Sequence, residues 1–298
     1  MPLSRPRHQR LPIENHVHLG QRGVRMVMRP AEYAGPVLGN SSVLADLVEE
    51  IADWDITCPD QARAISLRII PGTGPVLLIQ YRRPPASTWQ FGSHSLRQPD
   101  RRHCATKLQS GLVIVRSRGA IGTISVRLRA EAAANLLGAS MQDFLDAQIG
   151  LDELFQASRV SELEEVLADA KTSVERFAHV ERFILANLRA RQVEALTSRA
   201  AFLLRRNPRL RVGKLAAHLD VSERQLLRSF YAMFGMSTKQ FARIARIERV
   251  MALRARGGSW ADIAQRVGFT DQAHMVNEFT KIVGVPPAEL VSARTSLR

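Results

Sequence analysis

Between Val24 and Gly122 the apolar residues come in short runs. GVRMVMRP, ARAISLRIIP, PVLLIQYRRP, STWQFGSHS, GLVIVRSRG and IGTISVRLR alternate or cluster over a few positions each, with Pro and Gly between them, which predicts strands. Inside that stretch, VLADLVEEIADWDI sets Leu44, Leu47, Val48, Ile51 and Trp54 at helical spacing. One helix against several strands predicts a small barrel or sandwich with a pocket. After Arg129 the period changes. AEAAANLLG, MQDFLDAQ and LDELF read as short helices, and Leu163, Val166, Leu167, Val174, Phe177, Val180, Phe183, Ile184 and Leu188 mark a longer helical stretch from Ser161 to Ala190, one helix or two. Ser161 with Glu164 fits a capping box at its start.

The last third of the chain carries one pattern twice. LAAHLDVSERQLLRSFYAMFGMSTKQF and IAQRVGFTDQAHMVNEFTKIVGVPPAEL each give a short helix, a tight turn, and a second helix ending in Phe before Gly and a new helix start. In the first copy Leu215, Ala216 and Leu219 face inward, Asp220 and Val221 make the turn, and Ser222 caps with Gln225 three residues on. Leu226, Phe230 and Phe234 are then buried, leaving Glu223, Arg224, Gln225, Arg228 and Ser229 outside. In the second copy Ile263, Ala264 and Val267 pack, Gly268 turns, Asp271 caps, and Met275, Phe279 and Ile282 face inward. Ser237 to Leu253 joins the copies as an amphipathic helix, with Phe241, Ile244, Ile247 and Met251 inside. Lys239, Arg243, Arg246 and Arg249 then form a solvated outer face. At 1.5 Å per residue it spans roughly 26 Å, enough to hold two outer helices about one turn of B-DNA apart.

Charge sharpens this division. Of a formal +14 over 298 residues, residues 199–298 hold 18 Lys and Arg against 7 Asp and Glu, which is +11 and leaves +3 for the rest. A basic unit beside a nearly neutral one points to a polyanionic partner. No apolar run approaches a membrane span, and MPLSRPRHQRLP lacks the apolar core of a signal peptide, so a soluble cytoplasmic protein without membrane contact is expected. Cys58 and Cys104 are expected to be thiols in a reducing compartment.

The stretch from about Val193 to Leu290 resembles the DNA-binding domain of the AraC/XylS family of transcription regulators. LAAHLDVSERQLLRSF, IAQRVGF, FTK and GVPPAEL carry the resemblance, in order. More faintly, RIIPGTGPVLLIQY and TISVRLRAEAAANLLGASMQDFLDAQIGLDEL are similar to the sensor domain ahead of some relatives, although Arg129, Ala130 and Glu131 stand where those relatives often carry Pro-Gly. The resemblance implies an α+β chain: a mobile arm (1–23), a β-rich, barrel-like or cupin-like sensor or dimerisation domain (24–158), a helical linker (159–192), and an all-α domain with two helix-turn-helix motifs (193–298). It implies contacts to double-stranded DNA from Ser222, Arg224, Gln225, Leu227 and Arg228, and from Gln272, Ala273, His274, Val276, Asn277 and Lys281. RNA polymerase, a small-molecule effector and a second copy of the chain are the further partners it implies. Asn277 stands where the family usually has Arg, and Thr280 where a basic residue is common. Asn pairs bidentately with adenine rather than guanine, so the first helix is expected to dominate affinity.

Other chemistry is weaker. His16 and His18 share one side of an extended HVHL, near His8, but have no evident third ligand, and no metal or cofactor is expected. PGTGP, from Pro71 to Pro75, lacks the Lys and the following helix of a phosphate loop and reads as a β-turn. Glu175 and His179, four apart, read as a surface pair or a core edge, and Cys104 beside His103 lacks a nucleophile elbow. A metal-dependent enzyme or a pure dimerisation module in the β-rich part are the alternatives to a sensor, and no catalytic residue is expected.

Overall fold

The computed structural model describes residues 25–27, 42–64, 66–82, 88–91, 94–96, 103–106, 111–116, 119–137, 141, 144, 148–188 and 195–292. His8, His16 and His18 lie outside them. The first half runs β1 (Arg25–Val27), α1 (Ser42–Leu47), β2 (Val48–Ile56), α2 (Pro59–Ala64), β3 (Ser66–Ile69), β4 (Val76–Gln80), β5 (Thr88–Phe91), β6 (His94–Leu96), β7 (His103–Thr106), β8 (Val113–Arg116) and β9 (Ile121–Leu128). Next come α3 (Ala130–Leu137), β10 (Gln148–Gly150), α4 (Leu151–Leu154), α5 (Ala157–Asp169) and α6 (Ser173–Asn187). The last third is helical: α7 (Ala195–Arg206), α8 (Val212–His218), α9 (Glu223–Phe234), α10 (Thr238–Ala255), α11 (Trp260–Val267), α12 (Gln272–Val283) and α13 (Pro287–Ser292).

The strands form two five-stranded sheets, ordered β1-β3-β8-β5-β6 and β10-β7-β4-β9-β2. Only the β1–β3 pair is parallel among the described strands. In the second sheet β9 lies between β4 and β2, and all of its residues except Thr123 are buried, so the strand is covered on both faces. Leu77, Ile79, Ile124 and Val126 supply the sheet's share of one apolar core, which continues through α1, α3 and α5–α7 into α8–α13.

Three local expectations are corrected. VLADLVEEIADWDI is a short helix followed by a nine-residue strand, not one helix. Periodicity cannot separate the two here, because a register irregularity between Val48 and Glu50 buries Glu50, Ile51 and Ala52 in succession. The long pairing of β2 with β9, from Val48↔Leu128 to Ile56↔Ile121, decides for strand. Ser161 is not a cap, since α5 runs through it from Ala157. The capping box belongs to Thr172 and Glu175 at the start of α6, where the Thr172 hydroxyl accepts from the Glu175 N–H. MQDFLDAQ is not one helix either: Met141 and Phe144 sit in turns with fully buried side chains, and Gln148 opens β10. The strand β7 and the helix α2 carry no signal that distinguishes them from loop in sequence.

The α5–α6 pair is tied to the second sheet through a buried cation. Arg176 of α6 donates from Nε to Asp53 Oδ2 (2.7 Å), from Nη2 to Asp55 Oδ2 (3.0 Å) and from Nη1 to the Ala170 carbonyl (2.8 Å), and lies over the Tyr81 ring. Tyr81 donates its hydroxyl to Asp53 Oδ1 (2.7 Å), and the Ser173 hydroxyl donates to Oδ2 (2.8 Å). Burial raises the Tyr81 hydroxyl pKa, and the Asp53 carboxylate it donates to raises it further. The polar network thus fixes where the linker helices leave the sheet.

Removing one partner of a buried ion pair strands the other. Arg176→Met is expected to lower stability to urea by about 3–5 kcal/mol, whereas Arg82→Met, at the more exposed Asp55 pair, should cost about 1 kcal/mol or less. Equal losses would show that the Arg176 network does not anchor α6.

Candidate DNA interface

Each helix pair begins with a capped second helix. Ser222 accepts from the Gln225 N–H (3.2 Å) to start α9, and Asp271 accepts from the His274 N–H (2.7 Å) to start α12. The turns before them need a left-handed residue, supplied by Asp220 (φ 55°) in the first copy and Gly268 (φ 92°) in the second. The copies differ by one residue in the turn: Ile263 follows Leu215 by 48 positions, but Phe279 follows Phe230 by 49, so Thr270 is extra. Phe230, Phe234 and Phe241 pack ring against ring, with centroids 4.5–5.3 Å apart, and lock α9 to α10. Met275, Phe279, Ile282 and Val283 seat α12 in the same core.

Packing leaves the opposite faces open. Ser222, Arg224, Gln225, Leu227 and Arg228 are exposed at the start and middle of α9; Gln272, Ala273, His274, Asn277 and Lys281 are exposed on α12, and Val276 is half-buried. Leu227 is 40% exposed, and one turn on, Tyr231 is 51% exposed. The two make an apolar and aromatic step beside Arg228. Sequence reading missed Tyr231 because it sits between the buried Phe230 and Phe234; its separation of four from Leu227 was the available signal. On α12, His274 Nδ1 lies 3.2 Å from the Thr270 hydroxyl, and its ring meets the Phe269 ring edge to face (5.5 Å, 86°). Glu278 pairs with Arg243 (3.1 Å) and Lys281 (3.6 Å). Burial raises its pKa, but these two cations outweigh that and hold its carboxyl below the usual range.

The outer face of α10 is only in part the solvated stripe expected: Lys239 and Arg249 are exposed, whereas Arg243 and Arg246 are half-buried. Arg243 bonds Glu278 of α12, Arg246 donates to the Gly268 carbonyl (3.1 Å) and lies on the Phe269 ring, and Arg249 donates to the Arg206 carbonyl (3.2 Å). Lys239 alone of the four is exposed without such a bond among the described residues. The guanidinium groups reach carbonyls and a carboxylate on neighbouring helices that lie far away in sequence, so spacing alone could not reveal them.

The β-rich half touches all three helices of this interface from behind. Thr73, fully buried in the PGTGP stretch, donates its N–H to Glu248 Oε1 (2.8 Å) and its hydroxyl to Oε2 (3.0 Å), on α10. Gly111 N–H donates to the Ile282 carbonyl in the last turn of α12 (2.7 Å), and Met141 N–H to the Met233 carbonyl near the end of α9 (3.2 Å). Helix C-terminal carbonyls lack intrahelical donors, so these bonds complete the ends of both second helices. Gly74 is required where it is, because a Cβ there would lie 1.9 Å from the Leu128 carbonyl oxygen. PGTGP is therefore a docking element. Beside it, Glu49 pairs with Arg205 of α7, and Glu50 lies 3.7 Å from Arg127.

Residues 215–293 match the family of helix-turn-helix domains, and the C-terminal region is an AraC-type helix-turn-helix domain. A protein built on such a domain is a DNA-binding transcription regulator. The fold is similar to that of ToxT from Vibrio cholerae O395, at 10% identity, TM-score 0.50, 84% of this chain and 98% of that one. A second ToxT structure, bound to (E)-4-(8-methylnaphthalen-1-yl)but-3-enoic acid, matches at 11% identity and TM-score 0.50, covering 82% and 97%. The C-terminal domain of AraT, a response regulator from Geobacillus stearothermophilus, is 25% identical over 35% of this chain and 88% of its own, with TM-score 0.32. Among curated proteins, no significant match is found. Among the described residues no three His, Cys, Asp or Glu side chains gather as a metal site requires, and no helix is long and apolar enough to cross a membrane.

The carboxylates behind α10 make stability pH-dependent. Burial pushes Glu50 up to about 7, with Arg127 opposing it, and burial with the nearby Glu49 also raises Glu248. In the unfolded chain a glutamate loses its proton near 4.5. The folded state therefore holds extra protons between about 4.5 and 7, and the stability they confer, present in full below that interval, is lost as pH rises through it. Urea unfolding should show the unfolding free energy falling from pH 5 to pH 8, and Glu50→Gln should remove on the order of 3 kcal/mol of that fall. A wild-type unfolding free energy that rises over this range would contradict the assignment.

Proposed function

We propose that this chain reads DNA sequence with two helices, α9 and α12, set into successive major grooves, so that a single copy recognises an asymmetric site. The observation that carries the reading is the repeated geometry: two capped helices in one AraC-type domain, each buried by its apolar face and open on the other. Ser222, Arg224, Gln225, Leu227 and Arg228 are the proposed contacts of the first head, with Tyr231 added to them. Gln272, Ala273, His274, Val276, Asn277 and Lys281 are those of the second. Arg224 and Arg228 are exposed guanidinium groups on α9 and suit guanine; Asn277, one repeat on from Arg228, suits adenine. The first head then sets most of the affinity.

The β-rich half is proposed as the sensor. A cleft of about 480 Å³ opens between it and α7 and α10, with Arg127, Arg129, Arg205, Arg206, Arg249 and Arg256 along its walls beside Glu49 and Glu248. Six guanidinium groups against two carboxylates favour an anionic effector, and the carboxylic acid in the ToxT complex supports that chemistry. Such a ligand would compete with Glu49 and Glu248 for their cations and so bear on the helix that joins the two reading heads.

Selection of bound sequences from random DNA is expected to return two blocks with centres about 10 base pairs apart. Arg228→Ala should then cost about 1–3 kcal/mol and relax preference at one position, while Asn277→Arg should shift preference from adenine towards guanine at its own. If Arg228→Ala weakens every sequence alike, Arg228 contacts phosphate and is not a base reader.

A further inference from the structure

Three separate pieces of chain meet at one backbone oxygen in the turn of the second helix pair. The Gly268 carbonyl accepts from Arg246 Nη2 of α10 (3.1 Å) and from Arg209 Nε of the α7–α8 connection (3.2 Å). Arg209 thus belongs to the side of the first pair, Arg246 to the joining helix, and Gly268 to the second pair. The turn favours glycine through its φ of 92°, and a Cβ on Gly268 would lie 1.7 Å from Arg209 Nε and so displace that guanidinium from the carbonyl.

Arg246 also reaches the reading face through a stack. Its guanidinium carbon lies 3.7 Å from the centroid of the Phe269 ring, and Phe269 in turn holds the His274 ring edge to face. Two cations beside one carbonyl repel each other. Glu278 offsets this from α12, where it takes Arg243, the neighbour of Arg246 one turn earlier on α10. Arg246 Nε is buried with no hydrogen-bond partner among the described residues, so its half-buried position is held by the carbonyl and the ring.

We infer that Arg246 and Arg209 are positioning residues for the second reading head: by gripping the Gly268 carbonyl they fix the angle and distance between α9 and α12, and hence the spacing between the two half-sites that the protein accepts. The inference rests on the two-groove reading above. Neither arginine needs to touch DNA for this. A protein with the grip intact reads only one spacing, because one inserted base pair turns the second half-site by about 34° and moves it about 3.4 Å. A protein without it can follow the displaced half-site, at a cost in affinity for the correctly spaced one.

The test uses the full chain and the DNA site obtained by selection, alone and with one base pair inserted between its halves. Wild type is expected to lose about tenfold or more in affinity on insertion, by the cost of mismatched contacts. For Arg246→Met the insertion penalty should fall to about threefold or less, with base preferences within each half unchanged. Arg209→Met, which removes an exposed guanidinium from the same oxygen and leaves the core intact, should move the penalty the same way, and it carries the test if Arg246→Met does not unfold cooperatively. Unchanged insertion penalties in Arg209→Met and in folded Arg246→Met would overturn the positioning role, even if affinity drops uniformly with a shallower salt dependence, which marks a phosphate contact. A wild type indifferent to the insertion would instead remove the two-groove reading, and the inference with it.

Discussion

One helix has to satisfy three neighbours at once, and the rest of the molecule is arranged around that demand. The inner stripe of α10, with Phe241, Ile244, Ile247, Val250 and Met251 buried, closes the core between the two helix pairs. Its flanks are committed too: Arg243 and Arg246 to the second pair, Arg249 to the end of α7, and Glu248 to the PGTGP stretch of the β-rich half. A helix bound on every side cannot rotate without breaking a buried or half-buried polar contact, and such contacts are costly to leave unmade.

That constraint gives the proposed sensor half a physical route to α9 and α12. The β-rich half holds the joining helix at Glu248 and the last turns of α9 and α12 at the Met233 and Ile282 carbonyls. Every one of these points lies away from the exposed faces of the two recognition helices. A change in how the halves dock would therefore act on the orientation of both helices without touching a side chain proposed to read bases. The arginine-lined cleft proposed for an anionic effector borders the same contacts.

The two proposed reading heads are unequal by construction. The first has a compact turn around Asp220 and presents Arg224, Arg228, Leu227 and Tyr231. The second has one more residue in its turn, a Gly at the critical φ, and a face of Gln272, His274 and Asn277 whose His is braced by Phe269 and Thr270. A head with fewer guanidinium groups gains less from phosphate and guanine contact, so the precision of its placement matters more.

Much of this was legible in sequence. The duplicated motif, the caps at Ser222 and Asp271, the turn at Gly268 and the buried faces of α9, α10 and α12 all follow from local rules: period, cap chemistry and φ preference act within a few residues and leave their mark there. The β-rich half was legible as strands, but VLADLVEEIADWDI was not, because an irregular strand and an amphipathic helix can bury the same residues and only pairing with β9 separates them. Tertiary structure alone decided what Arg176, Arg246, Glu248 and Thr73 do. Each is a polar side chain whose partner lies on a distant element, and a charged residue at a helical or turn position reads as solvated until the fold brings an opposing carbonyl, ring or carboxylate within hydrogen-bond reach.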